Sequence, residues 1–245
     1  MTVRGTLATA ALAFNATLLP APALAQTDFV PSAVAPVTPS SPLISRQTMT
    51  VAGILFAGAL MGDHEMREES QELRSGTSNA IASFGNTFGE WRILVPALSA
   101  GYLAGEIAGS DGLKGTILRA GAAAAVATGI SSGLKYTIGR HRPDIAGGNF
   151  EFRPFSGSNS FPSGHTAAAF AIATAVADQT TDGWSDYVLY GAATLTAMSR
   201  INDNRHWTSD VLVGGLIGHL SGRWVSKQMG PVRVAPTGVT VKLEF

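Results

Sequence analysis

The segment Thr208–Lys227, TSDVLVGGLIGHLSGRWVSK, decides the fold. Gly214, Gly218 and Gly222 recur at four-residue spacing, which on an α-helix puts all three on one face. A face without side chains lets another backbone approach closely, so the segment predicts a helix pressed against a second helix. Ala120–Ala127 offers small side chains in the same way. Helical periodicity recurs in about six blocks, at 47–61, 90–108, 112–137, 164–178, 185–200 and 208–227. Gly62, the run Gly109–Gly112, Gly147-Gly148 and Asp182-Gly183 punctuate them. The expected architecture is an all-α bundle of about six helices with a tight interior of small residues.

The two ends of the chain read differently. Residues 1–25 carry one cation, Arg4, an apolar stretch from Leu7 to Leu19, and Ala23-Leu24-Ala25. That is the pattern of a secretory signal peptide cleaved after Ala25, and it predicts export to the periplasm or cell envelope. Residues 26–45 are rich in Pro, Ser, Ala and Val and read as an extended leader, ahead of a helical domain over 46–230. In 231–245 the apolar residues alternate with period two, from Val232 to Phe245, which predicts a short strand or an extended tail. A terminal Phe also suits the end of an outer-membrane barrel, but one such segment makes no barrel.

Composition excludes several function classes. The formal net charge is zero and only 14% of residues are charged. No basic excess points to nucleic acid, so any cationic site must be local. There is no cysteine, which removes disulfides and thiolate chemistry. The apolar blocks are interrupted by charge before reaching the ~18–20 residues a bilayer span requires. They read as helices buried in a soluble bundle; peripheral or integral membrane association stays open, since helices covered by protein can be short or polar.

Three short stretches hold the chemistry. Lys135–Pro143, KYTIGRHRP, contributes Lys135 and Arg142. Pro162–His165, PSGH, places Ser163 and Gly164 where a loop enters a helix, so that backbone N–H groups and the helix dipole favour an anion. Ser199-Arg200 is followed by His206 and, four residues later, Asp210. Lys135, Arg142 and Arg200 suit the spread negative charge of a transferring phosphoryl group. His165 is placed to protonate a leaving oxygen. A carboxylate at Asp210, bonded to one ring nitrogen of His206, would free the other to attack.

Each piece also has a plain structural reading. Lys135 suits a helix C-terminus, Arg140-His141-Arg142 a solvated basic loop, Asp210 a helix cap, and His165 an ordinary first turn. Asp63-His64-Glu65 lacks further ligands at metal-binding spacing, so neither metal nor cofactor is expected. His64 reads as solvated, His141 as exposed, and His219 as a hydrogen-bonded core residue. Trp184, Trp207 and Trp224 are expected in the core or at its edge.

The three stretches together resemble the signature of the type 2 phosphatidic acid phosphatase superfamily: Lys, six residues, Arg-Pro; then Pro-Ser-Gly-His; then Ser-Arg, five residues, His, three residues, Asp. That group includes membrane lipid phosphate phosphatases, secreted bacterial class A acid phosphatases and vanadium-dependent haloperoxidases. Every specified position is matched, and the resemblance covers roughly 112–227. It implies an all-helical fold with the site at helix ends. It also implies a phosphate cradle of Lys135, Arg142, Ser163, Gly164 and Arg200, with His206 as nucleophile, His165 as acid/base and Asp210 as its orienting carboxylate. The expected substrate is a phosphate ester, lipid or soluble. The alternatives are vanadate-dependent halide oxidation, with His206 as the vanadate ligand, and a non-catalytic helical binding protein.

Overall fold

Seven α-helices carry the architecture: α1 (Arg46–Glu72), α2 (Gly76–Asn86), α3 (Trp91–Ile107), α4 (Asp111–Ile138), α5 (Gly164–Ala177), α6 (Gly183–Asn202) and α7 (Thr208–Gln228). The computed structural model describes residues 45–145, 148–180, 183–229, 233–235 and 238–240. The expected signal peptide and nearly all of the expected leader lie outside these residues. In the C-terminal segment, β1 (Arg233–Ala235) and β2 (Gly238–Thr240) pair antiparallel as a hairpin. Among the described residues the fold is all-α apart from this short addition.

Helix α5 is central and packs against α4, α6 and α7. The core they share is built of Ala123 and Ala127 from α4, Ala167, Ala171 and Ala175 from α5, and Val225 from α7. The glycine stripe does what its spacing predicts. A Cβ on Gly214 would lie 2.5 Å from the Ser163 carbonyl, one on Gly218 2.3 Å from that of Ala167, and one on Gly222 2.6 Å from Thr174 Cβ. Helix α3 packs on α4, α2 on α6, and α1 on α7.

The sequence reading differs from the structure in three places. Helix α2 was absent from it because GTSNAIASFGN is short, at 11 residues, and made mostly of small or polar residues. Its start is set instead by a reciprocal cap, in which Ser75 and Ser78 each accept from the other's backbone N–H. Helix α1 runs through Gly62 to Glu72; one interior glycine costs only about 1 kcal/mol, and Asp63 beside it is anchored by a buried ion pair.

The third difference concerns where the large apolar side chains point. Large apolar side chains point outward: Ile54 and Met61 on α1, Ile107 on α3, and Trp184, Tyr187 and Val188 on α6 are all exposed, Ile107 at 89% and Trp184 at 76%. The buried core is mostly alanine. Small residues inside and large apolar residues outside invert the pattern of a water-soluble bundle. Helix α4 is long and apolar enough to cross a membrane, and little of it is buried.

Candidate active site

The three motifs meet at one end of the bundle because each sits where a helix ends or begins. Lys135 lies in the last turn of α4, which Gly139 closes with φ 62°. That left-handed turn needs glycine, and a Cβ there would also collide with the Arg153 carbonyl. The chain then passes through Arg140 and Arg142 into the loop. Lys135 Nζ donates to the carbonyls of Asn159 and Ser160. A Cβ on Gly164 would lie 3.8 Å from Lys135 Cε, so the lysine stem runs along the start of α5.

Ser163 is the N-cap of α5, yet its side chain makes no cap bond to the helix backbone. Its hydroxyl accepts from Thr166 Oγ1 at 2.9 Å, and its N–H donates to the Asp210 carbonyl at 3.0 Å. The second motif is thereby fixed to the third. The first-turn N–H groups of α5 have no side-chain cap, the condition under which a helix start binds an anion.

His206 lies in the loop between α6 and α7, its N–H donating to the Arg200 carbonyl. The sequence suggested that His206 and Asp210 share a helix face. Helix α7 begins only at Thr208, so Asp210, in its first turn, reaches back instead. Asp210 Oδ2 sits 3.5 Å from His206 Nδ1, and the ring's Nδ1 has no hydrogen bond. Oδ2 is already accepting from Ser160 Oγ at 2.5 Å and from the Trp207 N–H at 2.9 Å. Asp210 is therefore both a helix cap and the neighbour of the histidine. Burial pushes the His206 imidazole down to about 4, against the opposing pull of Asp210.

The charges of Lys135, Arg142 and Arg200 act on one another, and those of Lys135 and Arg200 on both His165 and His206. Arg200 Nη1 donates to Asn86 Oδ1 at 2.9 Å. The Nε of Arg200 and the Nε of Arg142 are buried without an acceptor in the protein. Buried guanidinium donors are costly to leave unpaired, and a phosphoryl oxygen is the acceptor their chemistry suits. All eight residues named from the sequence lie at this end of the bundle.

Sequence reasoning missed the support beneath them. Arg140, read as part of a solvated loop, is fully buried. It donates to Asp210 Oδ1 at 2.7 Å, Asp63 Oδ2 at 2.7 Å and Ser209 Oγ at 2.6 Å. It also binds the Asn149 carbonyl, and its guanidinium lies 5.4 Å from the Trp207 ring centroid. Asp63 in turn accepts from the Ser209 N–H and hydroxyl. Helix α1 is thus tied to the histidine through Asp63, Arg140 and Asp210. The only signal was an arginine and an aspartate 77 residues apart, which no local pattern links.

His141 is mostly buried, 3.4 Å from Glu151, rather than exposed. Trp207 is buried as expected, whereas Trp184 and Trp224 are exposed. His219 faces Thr174 and Tyr190, the hydrogen-bonded core role its position predicted. Among the described residues no group of three or more His, Asp or Glu is arranged to hold a metal.

Residues 116–233 match the family model of the PAP2 superfamily. Over this segment the chain is similar to that superfamily. The lipid A 1-phosphatase of Porphyromonas gingivalis is 39% identical over 120 residues, covering 47% of this chain and 24% of that protein. The chain therefore aligns with about a quarter of that curated relative. Among solved structures, Aquifex aeolicus LpxE has a TM-score of 0.52 at 26% identity, over 66% of this chain and 92% of that one. A transmembrane PAP2-type phosphatidylglycerolphosphate phosphatase from Bacillus subtilis has a TM-score of 0.53 at 19% identity, over 72% and 92%, and supports the fold. The PAP2 match spans all three motifs; Asp63, Asn86 and Glu90 lie before it.

Proposed function

We propose that this PAP2 chain is a membrane-associated phosphatase that hydrolyses phosphate monoesters of lipids through a phosphohistidine on His206. The observation that carries the reading is the meeting of three cations and two imidazoles around buried Arg142 and Arg200 Nε donors that have no protein acceptor. Lys135, Arg142, Arg200 and the first-turn N–H groups of α5 hold the phosphoryl oxygens. His206 Nδ1 faces Asp210, so Nε2 attacks phosphorus. The bond to the leaving oxygen breaks, the electron pair stays on that oxygen, and His165 protonates it. Water then attacks the phosphohistidine, gives a proton to His165, and releases phosphate and free His206. Positioned charge does most of the work in such a transfer.

The outward apolar faces and the resemblance to a lipid A 1-phosphatase support a lipid alcohol as leaving group. A phosphorylated glycolipid is the first substrate to try. The apolar segment ending at Ala25 supports export to the periplasm or cell envelope, with the site acting there.

The test is phosphate release from a lipid phosphate by the detergent-purified chain in excess chelator. Wild type should turn over and form an alkali-stable, acid-labile phosphoprotein; His206→Ala should do neither. Because burial holds the His206 imidazole down to about 4, the acid limb of wild-type kcat/KM should lie near that pH, where the nucleophile becomes protonated. Full activity in His206→Ala overturns the mechanism.

A further inference from the structure

Glu90 lies outside the three motifs and outside the PAP2 match, yet its carboxylate touches one of the two site histidines. Glu90 Oε2 is 3.2 Å from His165 Nε2. The residue is the N-cap of α3, and its other oxygen accepts from the Arg92 N–H. One oxygen is held by the helix start while the other faces the ring.

The approach is built into the backbone. Just before Glu90, a Cβ on Gly89 would lie 2.7 Å from the His165 carbonyl and 2.9 Å from its Cβ. Only glycine lets the turn between α2 and α3 rest on the first turn of α5. Just before this turn the end of α2 is tied to α6, where Thr196 Oγ1 donates to the Gly85 carbonyl at 2.8 Å.

We infer that Glu90 is a positioning residue for His165, holding its Nε2–H and stabilising the imidazolium so that Nδ1 is the atom exchanging a proton with the leaving oxygen. This rests on the phosphatase reading above. It gives the site two carboxylate–imidazole pairs with opposite ring polarity. Asp210 faces Nδ1 of His206 and leaves Nε2 to attack; Glu90 faces Nε2 of His165 and leaves Nδ1 to protonate. The charged groups acting on His165 are Glu90 from α3, Arg200 from α6 and Lys135 from α4. Two are cations that oppose protonation of the ring, and Glu90 is the one anion that favours it. The Glu90 carboxyl is itself held below its ordinary range, chiefly by the hydrogen bond with His165.

The experiment compares Glu90→Gln and Glu90→Asp with wild type on two phosphates, one with an alkyl leaving group and one with an acidic phenol. A phenolate departs with little help from an acid, whereas an alkoxide needs its proton. In Glu90→Gln, kcat for the alkyl phosphate should fall about tenfold or more, while the aryl phosphate loses no more than about threefold. The alkaline limb of kcat should move to lower pH by about one unit, and Glu90→Asp should recover part of the loss. Histidine-labelled NMR supplies a readout independent of turnover, with His165 titrating at lower pH in Glu90→Gln. Equal loss on both substrates with an unchanged His165 titration, or wild-type behaviour throughout, overturns the inference. A wild type inactive on every phosphate sinks the phosphatase reading, while the NMR titration still decides whether Glu90 governs His165.

Discussion

Arg140 is the residue on which the site's geometry turns. Its guanidinium joins two fully buried carboxylates, Asp63 and Asp210, with Ser209 and the Asn149 carbonyl completing its bonds. Removing one partner of a buried pair leaves an uncompensated charge, at a cost of about 3–5 kcal/mol. Asp63→Asn is therefore expected to destabilise the protein by roughly that amount, read by thermal unfolding in detergent. It should also lower kcat more than it raises KM, because the loss reaches His206 through Asp210 and touches no substrate group. Unchanged melting and turnover would mean that the network is not what orients Asp210. Lys135, Arg142, His165, Arg200 and His206 could be named as candidates from sequence because they stand at recognisable spacings within short motifs. Arg140 and Asp63 were not, since a buried arginine and a solvated one look the same until its partners are known. Glu90 and Asn86 were hidden for the same reason, each meeting a motif residue only through folding.

Among the elements, the contact between α5 and α7 matters most, because it fixes Ser163 to Asp210. It is a backbone-to-backbone contact made possible by Gly214, Gly218 and Gly222. Gly218→Val is expected to force the two helices apart and to cost about 1–3 kcal/mol as an overpacked core. Gly112→Val, where an added Cβ meets nothing within 4 Å, should lack that clash. Thermal melts of the two variants side by side check this, and equal losses would remove the stripe's role. The four-residue spacing predicted this face from sequence alone. Helix α2 carries no such spacing: a single glycine, Gly85, rests against Leu195 and Ser199 of α6.

At the scale of the molecule, charge and apolar surface separate into levels. Uncharged runs at 47–62, 93–105, 120–134 and 187–199 lie within α1, α3, α4 and α6. Each run is about 13–16 residues, or roughly 20–24 Å at 1.5 Å per residue. Lys135, Arg142, Arg200 and Asp210 stand at one end, with Glu106, Asp111 and Lys114 among the charges at the other. Lys114 pairs with both of those acids. Ile54 and Leu55 are exposed in the run of α1, and Trp184, Tyr187 and Val188 are exposed near the start of α6. Such an apolar belt with aromatic residues at its edge is suited to lipid. The chain is expected to stay in the membrane fraction after an alkaline carbonate wash, and its release would contradict an embedded belt. The interrupted runs did not reveal these outward faces, because run length records where charges fall along the chain, whereas exposure depends on which face each helix turns inward. By itself the sequence determined the helical class, the tight glycine contact and the eight candidate site residues, since periodicity and spacing are local properties of the chain. Only the tertiary structure decided the partners of Arg140, the contact of Glu90 with His165 and the outward direction of the large apolar side chains. Those depend on which distant helices pack together, and no local pattern encodes that.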